Sequence, residues 1–153
     1  MAERSQDKNI YQNLELHNAL LIGFMVGIYE VLGKGGTQAV VNMAGNRVGR
    51  ELIKFSQDSF VPIQSLEDFK VFVNQNKMIG ELDFHETETT TFARISGCKT
   101  CPKKVGHYDF DGTACPWGGI LSGVLSELTG VEHSAASKLS PGEKCVLEIR
   151  RAK

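Results

Sequence analysis

Cys115-Pro-Trp-Gly-Gly-Ile-Leu-Ser-Gly-Val-Leu125, then Val131-Glu-His-Ser-Ala-Ala-Ser137, then Gly142-Glu-Lys-Cys145-Val-Leu-Glu-Ile149 is the stretch on which the fold turns. From its first piece onward Ile120, Leu121, Val124, Leu125 and Leu128 recur at three- and four-residue steps, which predicts a helix over residues 113–128 with one core face. Gly130 stops it. Residues 131–137 read as a strand. Ser140-Pro-Gly-Glu143 is a turn signal, and Cys145, Leu147 and Ile149 alternate along a last strand.

Upstream, the period is two again. Leu82 and Phe84 alternate with Glu81, Asp83 and His85; Glu86-Thr-Glu88 turns the chain into the β-branched run from Thr89 to Ile95, an antiparallel hairpin. Before the hairpin, Pro62 breaks the chain and Ser65-Leu-Glu-Asp68 starts a short helix carrying Leu66, Phe69, Phe72 and Val73. Two longer helices come first. One is expected over residues 16–32, with an apolar face of Leu20, Leu21, Phe24, Met25, Ile28, Tyr29 and Leu32, ended by Gly33-Lys-Gly-Gly36. The next runs from Thr37, read as its N-cap, to about Phe55. Val40, Ala44, Val48 and Leu52 line one side of it, with Val41, Gly45 and Gly49 beside them. Small residues four apart suit a tight helix pair or a dimer seam. Helices first and paired strands later give an α+β fold, N-terminal helices on an antiparallel sheet. Residues 1–15 form a polar segment expected to be flexible, and residues 16–153 one domain.

Composition narrows the function. The 153 residues are 41% hydrophobic and 23% charged, with 17 basic against 18 acidic side chains and a net charge of −1. Nothing in that balance suggests a nucleic-acid or anionic-membrane surface. The first apolar run, residues 19–32, holds Glu30 and two glycines, and is too short to span a bilayer. No targeting segment is visible, so the expected compartment is the cytoplasm. The glycines after the first helix do not make a phosphate loop: Lys34 is followed by Gly35 where Walker A needs Ser or Thr, and a helix rather than a strand precedes them. No nucleophile–base pair, paired-carboxylate motif or open metal site can be read, which argues against an enzyme.

The four cysteines carry the chemistry. Cys98-Lys-Thr-Cys101 is a CxxC in a loop over residues 97–112; Cys115 opens a helix and Cys145 a strand. In a chain without a secretory signal, such thiols favour metal or redox chemistry over disulfides. Four thiolates make a closed tetrahedral shell suited to structural zinc. They also suit a [4Fe–4S] cluster, and Cys101-Pro102 and Cys115-Pro116 match the Cys-Pro pairs that flank cluster ligands. A redox-active Cys98–Cys101 pair is a further alternative. His107 shares the loop; His17, His85 and His133 read as surface, and Trp117 as a shield beside Cys115.

Cys115-x-x-Gly118-Gly-x-Leu121-x-Gly123-x-Leu125, a strand, then Gly142-Glu-Lys-Cys145-x-Leu-x-Ile149 resembles the 4-vinyl reductase domain family, whose fold is shared with transport-particle (TRAPP) subunits and haem nitric-oxide-binding domains. The resemblance is good over residues 80–150, and Gly45 and Gly49 fall in a helix that the family also makes glycine-rich. It implies zinc ligands at Cys115 and Cys145. The family's remaining glutamate and cysteine fall on Ser134 and Ser137, and serine is a poor ligand. The resemblance therefore implies replacement, with Cys98 and Cys101 filling the two vacated positions.

It further implies a small apolar or aromatic molecule held between helices and sheet, near Phe24, Met25, Leu121 and Leu125, and a homodimer through the N-terminal helices. The expectation is a zinc-containing regulatory or carrier domain whose output passes to a separate regulatory protein partner. The alternative is an iron–sulfur or thiol-based redox protein or reductase accessory.

Overall fold

A computed structural model describes residues 3–57, 62–77, 79–98, 115–138 and 144–152. The element order is α1 (Glu3–Gln57), α2 (Leu66–Gln75), β1 (Glu81–Glu86), β2 (Thr90–Ser96), α3 (Pro116–Thr129), β3 (His133–Lys138) and β4 (Cys145–Arg151). All strand pairs are antiparallel, in the order β1-β2-β4-β3. The expected α+β architecture is present, and it is layered as α1, then α3, then the sheet.

α1 starts upstream of the expected helix and takes in both expected N-terminal helices, but it is not one rod. Gly33 breaks it with φ 66 and ψ −173, a conformation open only to glycine. Met25 packs in one cluster with Ile22 and Val41. On a straight helix Met25 and Val41 would be roughly 24 Å apart, so the two arms fold back on each other. Thr37 is not an N-cap. It lies inside the second arm, buried, and its hydroxyl donates to the Gly33 carbonyl at 2.7 Å.

The buried face of the second arm differs from the expected one by one position. Thr37, Val41, Gly45, Gly49 and Ile53 are buried, while Ala44 and Val48 are exposed. The reason is steric: this row of small residues meets α3 backbone to backbone. A Cβ on Gly45 or Gly49 would lie under 3.0 Å from backbone atoms of Pro116 and Ile120, and one on Gly119 or Gly123 would lie as close to the carbonyls of Asn42 and Asn46. The seam is therefore intrachain. Taken as a single helix, Ala19–Gln57 is long and apolar enough to cross a membrane, a test that core helices also pass. The reversal at Gly33 divides it.

α3 is the central element, buried from Trp117 through Ser126 except at the half-buried Ile120. It starts three residues after the expected position because Cys115 is its N-cap and Pro116 fills N1, where a missing N–H costs nothing. Gly130, left-handed at φ 71, closes it. Its polar residues are satisfied locally: Ser122 Oγ donates to Gly119 O, Ser126 Oγ donates to Ser122 O, and Ser126 Oγ accepts from the His133 amide. Leu121, Val124 and Leu125 pack against Leu147, Ile149, Ala93, Ile95 and Leu82 on the inner sheet face.

α2 begins as its sequence predicts. Ser65 Oγ accepts from Asp68 N at 3.1 Å, and Asp68 Oδ2 accepts from Ser65 Oγ and from Gln64 N. Those bonds, the Ser65 hydroxyl's first, hold the Asp68 carboxyl below its usual pKa. Asn74 braces the edge strand: its Oδ1 accepts from Leu82 N at 3.0 Å and its Nδ2 donates to Leu82 O at 3.3 Å.

Candidate functional site

Three of the four cysteines are described, and three separate elements bring them to one end of the sheet. Cys145 opens β4 opposite Ile95 on β2. β2 runs past that pair to Cys98 through Gly97, which has φ 60 and touches Gly80 so closely that any side chain there would meet its backbone. Cys115 stands over the same end as the N-cap of α3. Cys101, His107 and the 140–143 turn lie outside the described residues.

Burial pushes the Cys115 thiol up to about 12, and the neighbouring Cys98 and Cys145 thiols push the same way. The amides of Trp117 and Gly118 at the helix N-terminus act against that rise, though neither makes a cap hydrogen bond. Cys98 and Cys145 are thus both within electrostatic reach of Cys115. They are not yet a closed ligand set: among the described residues, no three His, Cys, Asp or Glu side chains are gathered tightly enough to hold a metal ion. The donors fit a soft or borderline cation, zinc or iron, rather than a hard one.

Ser137 lies at the same end. Its Oγ would be 3.1 Å from a Cβ on Gly118, three residues beyond Cys115. Ser134 is exposed and paired with Arg150 at the other end of β3. Trp117 is in the main core at 3% exposure, and its indole N–H has no hydrogen-bond partner among the described residues.

Phe24, Met25, Leu121 and Leu125, expected to line one pocket against the sheet, do not come together. Leu121 and Leu125 are core, Met25 belongs to the separate cluster between the α1 arms, and Phe24 is 69% exposed. Grooves of larger volume lie elsewhere among the described residues. An open apolar groove of about 550 Å³ runs along the first arm of α1, past Leu20, Phe24, Ile28 and Val31. A second groove, of about 520 Å³, lies at the sheet end opposite the cysteines, with Leu125 and Ile149 in its wall beside Glu86, Thr91, His133 and Arg151.

Sequence reasoning passed over this second groove. The signal was available: the inner-face rows Leu82-Phe84-Glu86 and Leu147-Ile149-Arg151 each turn from apolar to charged at the last step. His133, read as surface, is half-buried and lines the groove.

A buried, glycine-notched helix between a helical hairpin and a four-stranded antiparallel sheet is the arrangement of the vinyl-4-reductase fold. A crystal structure of a vinyl-4-reductase family protein from Methanocaldococcus jannaschii aligns with a TM-score of 0.55 at 16% identity, covering 74% of this chain and 68% of that one. The phenol-responsive sensory domain of the transcription activator PoxR, solved with phenol, aligns with a TM-score of 0.58 at 14% identity, covering 88% and 74%. Sequence gives the narrower placement. The MJ0207 family model matches residues 36–151. The protein MJ0207 of Methanocaldococcus jannaschii is 34% identical over 134 residues, covering 88% of this chain and 87% of that protein. Protein MJ1342 of the same organism is 28% identical over 102 residues, covering 65% and 86%. The chain belongs to the MJ0207 family.

Proposed function

We propose that this chain is a small-molecule-binding regulatory or carrier domain for an apolar or aromatic ligand, cytoplasmic, non-enzymatic and homodimeric, with a structural zinc site formed by Cys98, Cys101, Cys115 and Cys145. The observation that carries the binding reading is the fold held in common with a sensory domain solved with phenol. The metal reading is supported by the convergence of Cys98, Cys115 and Cys145 on one end of the sheet, from which the CxxC loop departs and to which it returns. The dimer reading is supported by the uncovered apolar face of the first α1 arm, since a contiguous patch of large apolar side chains marks an interaction surface. Any signal passes to a separate protein partner.

Metal analysis joined to native mass spectrometry of the purified chain tests the reading. The expected result is a colourless protein with about one zinc per chain and a small organic molecule carried through purification. Cys98→Ser with Cys101→Ser abolishes metal binding; metal retained at the same stoichiometry overturns the ligand set. Chelation lowers the unfolding midpoint, because binding energy at such a site is folding energy.

An iron–sulfur redox protein is the second reading, and a brown protein containing iron and sulfide would establish it. One of its two supports has a structural explanation of its own, since Pro116 occupies the N1 position of α3.

A further inference from the structure

The groove at the end of the sheet opposite the cysteines has a construction that a merely frayed sheet end would not need. The register puts Glu86 beside Thr91 on one side and Arg151 beside His133 on the other, with Ile149 beside Thr91. All of them share the inner face with Leu82, Ala93 and Leu147, which α3 covers. α3 stops at Thr129 and turns away through Gly130, so the last row of the inner face emerges uncovered beyond it. The wall that remains is apolar, made of the buried side chains of Leu125 and Ile149.

The charges in the groove are not equivalent. Arg150 points to the outer face and is paired with Glu148 at 3.0 Å. Arg151, two residues beyond Ile149 on the inner face, makes no ion pair among the described residues. Glu86 accepts from Thr91 Oγ1 at 3.5 Å, and it stands with Glu88 on the exposed rim, where both carboxylates are solvated. The His133 ring is fixed by its Nδ1–H, which donates to Val131 O at 2.7 Å. A guanidinium with no ion pair among the described residues, beside an apolar wall, matches a planar anion attached to an apolar body: the fork takes two oxygens in parallel and the wall takes the body.

We propose that this groove binds a small organic carboxylate, its carboxylate on Arg151 and its apolar body on Leu125 and Ile149. This deepens the small-molecule reading given above and rests on it.

The test uses the full chain and four probes of nearly one size: benzoate, benzyl alcohol, benzylamine and phenol, each titrated by calorimetry and by amide chemical shifts. Benzoate is expected to bind on the order of tenfold tighter than benzyl alcohol, the advantage of one charge-assisted pair. It should shift the amides of Leu125, Ile149 and Arg151. Arg151→Gln should remove that advantage without lowering the unfolding midpoint, since Arg151 is exposed. Tightest binding by benzylamine would mean that Glu86 and Glu88 govern the groove, and would overturn the proposal. Equal binding of benzoate and benzyl alcohol, or shifts confined to other parts of the chain, would overturn it too. Phenol bound away from the groove, with benzoate unbound, sinks the carboxylate site and leaves the small-molecule reading standing. No binding of any probe sinks both.

Discussion

The two arms of α1 share one helix assignment and have opposite fates. The second arm gives up side-chain volume to gain contact. Gly45 and Gly49 interlock with Gly119 and Gly123, so the α1 and α3 backbones touch where side chains would otherwise stand. Polar groups fasten the flank: Arg50 Nε donates to Asn46 Oδ1 at 3.0 Å, Asn46 Nδ2 donates to Ser122 Oγ at 3.5 Å, and Arg50 pairs with Glu127 and Glu132. The first arm keeps its volume and gains little cover. Leu20, Phe24, Val31 and Leu32 are each at least half exposed, and among the described side chains of this arm only Ile22 and Met25 are fully enclosed. The arm with the larger apolar side chains is the less buried one. Shape, not hydrophobicity, decides which arm joins the core.

The largest effect should follow from filling the seam. In Gly49→Ala or Gly123→Ala the new methyl group meets a backbone carbonyl that cannot rotate away, so the helices must separate. Overpacking of this kind costs about 1–3 kcal/mol and more where backbone must move. Urea unfolding should show a lowered midpoint with an unchanged slope. A midpoint within error of wild type would mean that α1 and α3 are not in backbone contact.

The hinge between the arms comes next. Gly33→Ala forces a side chain into a region that only glycine visits comfortably, costing roughly 1–3 kcal/mol. A helix that straightens to escape the strain pulls Met25 away from Val41. Hydrogen exchange should then rise at Ile22 and Met25, while the amides of α3 keep their protection. Equal loss in both places would mean that the arms unfold as one unit.

Much of this was legible in the sequence, for identifiable reasons. Ser65 and Asp68 named the start of α2 because a capping pair acts within four residues. The β1–β2 hairpin and the core face of α3 were readable because period two and period 3.6 are local signals. What failed was non-local. Whether Val40-Ala44-Val48 or Val41-Gly45-Gly49 faced inward depended on notches in α3, some seventy residues away, and the helix alone makes the more apolar row look like the core. Phe24 and Leu121 looked equally fit to line a pocket, yet one is exposed and the other enclosed, because the reversal at Gly33 sends Phe24's arm away from the sheet. Of the proposed metal site, the residue types and their places along the chain could be read, but that Cys98, Cys115 and Cys145 come to one end of the sheet follows only from strand register and the seat of α3. The groove at the other end was missed because His133 reads as a surface residue until the register sets it beside Arg151.

Phe24→Asp asks whether the first arm is covered in solution. Phe24 is mostly exposed within one chain, so losing it should change the stability of an isolated chain by under about 0.5 kcal/mol. In a homodimer joined along this groove, a charge would enter the contact, and sedimentation should show the dimer shifting to monomer at micromolar concentration. Wild type that is already monomeric overturns the dimer. If it then floats with phosphatidylcholine vesicles and Phe24→Asp does not, the arm is a membrane surface instead.

The smallest effect is the most discriminating. A Cβ on Gly27 meets nothing within 4 Å, and Gly27 is exposed on the wall of the same groove. In an open helix interior, alanine in place of glycine stabilises by about 0.5–1 kcal/mol, because the unfolded chain has less freedom to lose. The sign is therefore opposite to that of Gly49→Ala, with identical chemistry. If a second copy packs along this arm, the gain should depend on protein concentration. Gly27→Ala should raise the unfolding midpoint in dilute solution, where single chains dominate, and lose that gain as the dimer forms and the methyl group meets the partner helix. An equal gain at every concentration would place Gly27 outside any interface. The uncovered face would then have to be narrowed to Phe24, Val31 and Leu32.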